Sequence, residues 1–286
     1  MRITPLLVCS LLCVTDALAD GPSFRMPTYP DKAPPPARTP EEVRALLAGS
    51  RPPQEAKELK VLLVAGPKDH STGEHDYPAW QKVWNPLLSR SANTKVDDAW
   101  EFPTEEQAEE ADVMVFFQRG RWDSDRARVI DKFLSRGGGL VYIHWAVDGR
   151  GGEAEFAKRI GLASKGGSIS YRHGPLHVDF SPGADHPIAR NLARVDFVDE
   201  AYWRLTGDPG DLTLIGTSEE EGKPRPLFWT VERGRGRVFV SIPGHYMWTF
   251  DDPAFRALLL RGIAWTGRAN VDRFNELVTL DARIEE

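Results

Sequence analysis

Seven histidines are the residues of this chain best suited to chemistry near neutral pH. A neutral imidazole offers a lone pair to a divalent metal, and its proton is exchangeable close to pH 7. His70 and His75 fall in GPKDHSTGEHDYP, His144 closes GGGLVYIHWAVDG, His173 and His177 share YRHGPLHVDF, His186 lies in ADHPIARNL, and His245 in VSIPGHYMWTFDDP. His186 reads as a turn residue before Pro187. His177 alternates with Leu176, Val178 and Phe180, which puts it on the solvent face of a strand. The others invite a function: His144 and His245 as acid–base residues, and His75, His144, His173 and His245 as ligands of a divalent cation such as zinc or manganese.

The segment DEAYW supplies two adjacent carboxylates. Glu200 is the better candidate to orient a histidine, bind metal or act as general base. Asp199 reads as a solvated loop residue. Trp122, Trp145, Trp203 and Trp248 each stand near a candidate segment, and Trp145, Trp203 and Trp248 offer flat apolar faces with a polar N–H that suit a sugar ring.

The elements that must position these residues alternate between strand and helix. KVLLVAG (60–66), DVMVFF (112–117) and the run from Gly139 to Ile143 are buried-type strands. Trp80, Val83, Trp84, Leu87 and Leu88 mark one apolar helical face, with Pro86 expected to kink or end that helix. Ser124 is a candidate cap for a helix whose apolar face is Val129, Ile130, Phe133 and Leu134. Further strands are expected at 168–172, 176–180, 212–216, 227–231 and 237–242. A last helix is capped by Asp252 with Pro253 at its first position. Repeated strand–helix–strand units imply a parallel sheet covered on both faces, with ligands beyond the carboxyl ends of its strands. His70, His75, His144 and His245 then share one rim.

Composition narrows the function further. A net charge of −6 argues against a nucleic-acid surface. Arg2, the apolar stretch from Pro5 to Val14 and Ala17-Leu18-Ala19 read as a secretory signal (1–19), cleaved before Asp20. That stretch is shorter than the ~20 residues a membrane span needs, and no later apolar run reaches that length, so the mature chain is expected to be exported, periplasmic or secreted, with no integral membrane segment. Cys9 and Cys13, the only cysteines, lie inside the signal, which leaves the mature chain no thiolate nucleophile and no disulfide. Residues 20–59, rich in proline, read as a linker, 60–268 as the globular domain and 269–286 as a tail. Neither a G-x-G-x-x-G loop after a strand nor a G-x-S-x-G elbow is present.

Taken in order, GPKDHSTGEHDYP, ADVMVFF, GGGLVYIHWAVDG, HPIARNL with DEAYW, and the block from Pro226 to Trp265 resemble the ThuA-like (trehalose-utilisation) family of the glutamine amidotransferase-like superfamily. The resemblance implies an α/β, flavodoxin-like, doubly wound and mostly parallel sheet. It also implies that His144 stands at or beside the nucleophile position of the amidotransferases and His245 at their late histidine. Met247 replaces their glutamate, and the thiol is missing, so glutaminase chemistry is not expected. The family points to a small carbohydrate partner, a disaccharide or keto-sugar. The alternative is a non-catalytic carbohydrate-binding or interaction domain on the same fold.

Overall fold

The computed structural model describes residues 23–286; the expected signal, with Cys9 and Cys13, lies outside the described residues. In chain order the strands are β1 (Leu59–Ala65), β2 (Thr94–Trp100), β3 (Val113–Phe117), β4 (Gly139–Ile143), β5 (Leu162–Ala163), β6 (Ser170–Asp179), β7 (Arg194–Trp203), β8 (Thr206–Gly207), β9 (Thr213–Glu220), β10 (Lys223–Arg233) and β11 (Gly236–Ser241). The helices are α1 (Pro40–Leu47), α2 (Tyr77–Ser89), α3 (Glu105–Glu110), α4 (Ser124–Ser135), α5 (Glu153–Ile160) and α6 (Pro253–Thr266).

The main sheet runs β2-β1-β3-β4-β11-β10-β9-β6-β7, and β5 pairs with β8 apart from it. Strands β2, β1, β3, β4 and β11 are parallel. That is the flavodoxin-like order, in which the chain reverses its direction of growth between β1 and β3. Strands β3 and β4 are buried at every residue, and β1 at all but Lys60. Such continuous apolar runs belong to parallel strands covered on both faces. Helix α6, buried along nearly its whole length, packs on β4 and β11.

The other half of the sheet, β10, β9, β6 and β7, is antiparallel. The two strands expected at 168–172 and 176–180 are one, β6, which runs straight through Gly174 and Pro175. Strand β7 carries DEAYW and pairs with β6 from Arg194 to Trp203. Its burial does not alternate cleanly, so no period of two announced it.

Local signals otherwise act as their chemistry dictates. Asp252 caps α6 by accepting from the N–H groups of Ala254 and Phe255. The cap of α4 is Asp123, not Ser124, and it accepts from Arg126 N. Helix α2 runs on past Pro86 to Ser89, because Leu87 and Leu88 are fully buried beyond it and that tertiary burial outweighs the lost hydrogen bond.

The segments flanking residues 60–268 are packed rather than free. Phe24 and Met26 are buried, as are Phe274, Leu277 and Val278. Met26 N donates to the Asp251 carboxylate at 3.0 Å, and Arg38 pairs with Asp252 at 2.9 Å. Among the described residues, no helix is long and apolar enough to cross a membrane.

Candidate metal centre

Three loops at the carboxyl ends of the parallel strands bring the histidines together. His75 lies between β1 and α2, His144 is the first residue after β4, and His245 follows β11. The first and last of these loops are stitched by backbone hydrogen bonds: His75 N to His245 O at 3.1 Å and Met247 N to Gly73 O at 3.0 Å. His70, His75 and His144 all adopt left-handed backbone conformations, with φ of 64, 44 and 56°. Few non-glycine residues do so, and such strain concentrates at sites where the surrounding structure enforces it.

The ring atoms converge closely. His75 Nε2 lies 2.8 Å from His144 Nε2 and 2.9 Å from His245 Nδ1, and the latter two are 3.3 Å apart. Glu200 Oε2 completes the group, 2.9 Å from His245 Nδ1 and 3.3 Å from His144 Nε2. All four residues are buried, and one donor atom from each lies within 4.8 Å of every other. Glu200 reaches this point although β7 is the far edge strand of the sheet. The antiparallel half therefore curls back over the ends of β4 and β11.

The outer faces of the His144 and His75 rings favour a proton on Nδ1. His144 Nδ1 is 2.7 Å from the carbonyl oxygen of Ile242, which can only accept. His75 Nδ1 is 2.7 Å from Asp69 Oδ1. His245 Nε2 makes no hydrogen bond and faces Glu74 Oε2 at 3.6 Å. With those nitrogens carrying the protons, His75 Nε2, His144 Nε2 and His245 Nδ1 turn bare lone pairs toward one another and toward a carboxylate oxygen. Lone pairs at such separations repel, and a shared cation removes the conflict. Carboxylate and carbonyl partners behind ligating imidazoles are the usual outer layer of metal sites. The donor set, three imidazoles and one carboxylate, suits zinc and tolerates manganese. The group can hold a metal ion.

Charge and burial support that protonation pattern. Burial drives the His75 pKa down to about 3, against the opposing pull of Asp69, so its ring is neutral at physiological pH. Burial would raise the Asp69 carboxyl, but hydrogen bonds from His75, His70 and Tyr77 hold it well below the carboxylate range. Burial would raise the Glu200 carboxyl too, but hydrogen bonds and charge from His144 and His245 hold it low, so without a cation an imidazole N–H supplies the positive charge that a metal ion would otherwise bring. The phenol of Tyr202, buried and beside Glu200, is pushed well above its ordinary value and stays protonated. Its O–H donates to Glu200 Oε2 at 3.1 Å, and its oxygen lies 2.8 Å from His144 Nε2.

The expected residues sort as follows. His75, His144, His245 and Glu200 form the group. His173 stands outside it, 40% exposed at the mouth, with Nε2 3.5 Å from Glu200 Oε1 and its ring against His245. His70, also at the mouth, packs on His75 at 3.8 Å. Trp145 abuts Tyr202, and Trp248 stacks on Tyr246, whose hydroxyl meets His173 Nδ1 at 3.1 Å. Trp203 follows Tyr202 directly on β7, so strand alternation turns it to the other face. Trp122 is core, stacked on Phe156. His177 is exposed, and His186 caps the turn at Pro187.

Asp199 corrects the expectation of a solvated loop residue. It is fully buried, and its Oδ1 accepts from Gly244 N at 2.9 Å and His245 N at 3.0 Å, with Thr249 on Oδ2. It holds the loop that presents His245. Asp69, Glu74, Tyr77 and Tyr202 went unread in the sequence. Only Tyr202 left a signal there, two residues from Glu200 and hence on the same strand face.

Fold and site together define an α/β protein with a buried three-histidine, one-glutamate centre at the carboxyl rim of its sheet. The chain belongs to the ThuA family, whose model, described as trehalose utilisation, matches residues 60–266. Two solved structures share the fold. A protein described as ThuA-like from Parabacteroides merdae ATCC 43184 is 20% identical with a TM-score of 0.58, the match covering 74% of this chain and 90% of that one. Another, from Bacteroides uniformis ATCC 8492, is 17% identical with a TM-score of 0.60, covering 78% and 99%. No curated protein matches the chain.

Proposed function

We propose that this chain is an exported metalloenzyme of carbohydrate metabolism, acting on a disaccharide or keto-sugar. The observation that carries the reading is the convergence of three imidazole nitrogens and a carboxylate oxygen, all from buried residues, within 4.8 Å of one another. A divalent ion held by His75, His144, His245 and Glu200 would act as a Lewis acid on a sugar carbonyl or hydroxyl. The carbohydrate comes from the family description, trehalose utilisation.

The chain's own residues divide the remaining work. Tyr202, held protonated, is the proton donor nearest the centre. His173, exposed at the mouth and beside Glu200, is placed to exchange a proton with solvent. His70 lines the same entrance. Glutaminase chemistry has no support, since the only cysteines are Cys9 and Cys13.

The test is metal content by plasma mass spectrometry of protein purified without chelator or affinity metal, beside His144→Ala and His245→Ala, followed by turnover of disaccharides and their keto forms. Near-stoichiometric zinc or manganese, lost in both variants, and turnover that needs the metal are expected. Protein that takes up neither ion on soaking overturns the metal reading.

A further inference from the structure

A second feature opens at the same rim and is not used by the metal centre. A cavity of about 370 Å³ lies where β1 and β3 give way to their loops. Gly66, Pro67 and Lys68 follow β1, and Gln118, Arg119 and Gly120 follow β3. The growth of the sheet reverses between those two strands, and ligands of such sheets sit in that crevice.

The charge of the cavity is opposite to that of the chain. Lys68, Arg119, Arg121, Arg126 and Arg150 line it, against only Asp69 and Glu101, in a protein of net charge −6. The guanidinium groups are largely uncommitted. Arg119 makes no ion pair or side-chain hydrogen bond with any described residue. Arg121 and Arg150 meet Asp123 and Asp148 only at 3.5 Å. Arg126 lies over the Phe102 ring and meets Asp123 at 3.8 Å. Surface cations at such distances from their partners gain little from them.

One wall of the cavity is shared with the metal centre. Asp69 lines it and also fixes His75 through Oδ1. A ligand anchored among the arginines would thus lie beside Asp69, whose Oδ1 also meets His70 Nδ1 at 3.0 Å at the mouth of the metal centre.

We infer that this cavity is an oxyanion subsite that holds the phosphate or carboxylate of an acidic sugar while the rest of the sugar reaches the metal centre. The inference rests on the function proposed above and names its substrate class. Phosphate and carboxylate share the chemistry that matters, two or three oxygens that match the fork of a guanidinium. A cavity of this size accommodates a small sugar.

Calorimetric titration of the full mature protein with glucose 6-phosphate, glucuronate and glucose tests it, alongside the double variant Arg119→Gln, Arg150→Gln. At least one anionic sugar should bind about tenfold or more tighter than glucose. That advantage should shrink with added salt and vanish in the double variant, whose circular dichroism should match the parent. Comparison of the two anions tells which group the cavity prefers. Glucose binding as tightly as both anions, an anion preference intact in the double variant, or no binding of any of the three overturns the subsite. Metal content measured on the same samples separates the two ideas. Bound metal without anion preference sinks only the subsite, and anion preference without metal sinks only the metal reading.

Discussion

His144 Nε2 lies 2.8 Å from His75 Nε2, although each ring directs its Nδ1 proton away, to Ile242 O and to Asp69 Oδ1. Two bare nitrogens at that separation are unstable alone and natural around a cation. The first expectation concerns heat. Zinc at about a hundredfold excess over its dissociation constant should stabilise the fold by roughly 2.7 kcal/mol. For a chain this long that is a rise of about 4–5 °C in Tm, reversed by chelator. Scanning calorimetry of parent and His75→Ala checks it, and an equal zinc response in the variant would remove His75 from the site.

Asp69 should matter to the metal without touching it. Asp69→Asn keeps the shape but weakens the acceptor behind His75, and such outer changes typically cost about 10–100-fold in metal affinity. Competition against a chromophoric zinc chelator gives the number. Unchanged affinity would mean that His75 needs no such partner.

Gly244 is tied to the site by sterics. Its φ is +138°, and a Cβ there would stand 2.8 Å from Ile143 Cγ2 and 3.3 Å from His144 Cβ. Gly244→Ala should destabilise by about 2–3 kcal/mol, from backbone strain and crowding together, and should impair metal binding by displacing the loop that carries His245. Urea unfolding of apo-protein and metal uptake read the two effects separately. A variant with parental stability contradicts the tightness of this turn.

Acid stability should depend on Asp272, which ties the C-terminal segment to the domain. It pairs with Arg190 and accepts from Arg51 N at 2.8 Å and Asn275 Nδ2 at 2.9 Å. Burial raises its carboxyl, but the Arg190 hydrogen bond and the others hold it below the ordinary value. A carboxyl depressed in the folded state contributes stability above its unfolded pKa of about 3.9, lost as pH falls through the folded value. Asp272→Asn should therefore cost about 2 kcal/mol at pH 7 and flatten the loss of stability below about pH 4. Parallel stability–pH curves for the two proteins would refute the assignment.

Sugar binding separates catalysis from mere recognition. If the centre is catalytic, His144→Ala should abolish turnover while Trp145→Ala and Trp248→Ala mainly raise KM, since an aromatic platform binds ground and transition states alike. A domain that only binds would show no turnover at all, with titrated sugar affinity lost in the tryptophan variants and kept in His144→Ala.

The residues themselves declare much of this protein. Unbroken apolar runs such as Gly139 to Ile143 mark buried parallel strands, because only a strand covered on both faces can be apolar at every position. A histidine closing or following such a strand must lie at the sheet's carboxyl rim, so His144 and His245 were legible as sharing that rim. The folding of β7 back over that rim was not, because the pairing of Arg194–Trp203 with β6 is set by contacts across the whole antiparallel half. That fold-back puts Glu200 and Tyr202 on the histidines and leaves His173 at the mouth. Asp199 and Asp69 show the same limit: a carboxylate in a polar segment looks solvated until tertiary structure turns it inward. The sequence alone thus determined which rim carries the chemistry. Only the tertiary structure decided which side chains meet there, since that depends on bringing together segments far apart in the chain, His75 and His144 by 69 residues and His75 and His245 by 170.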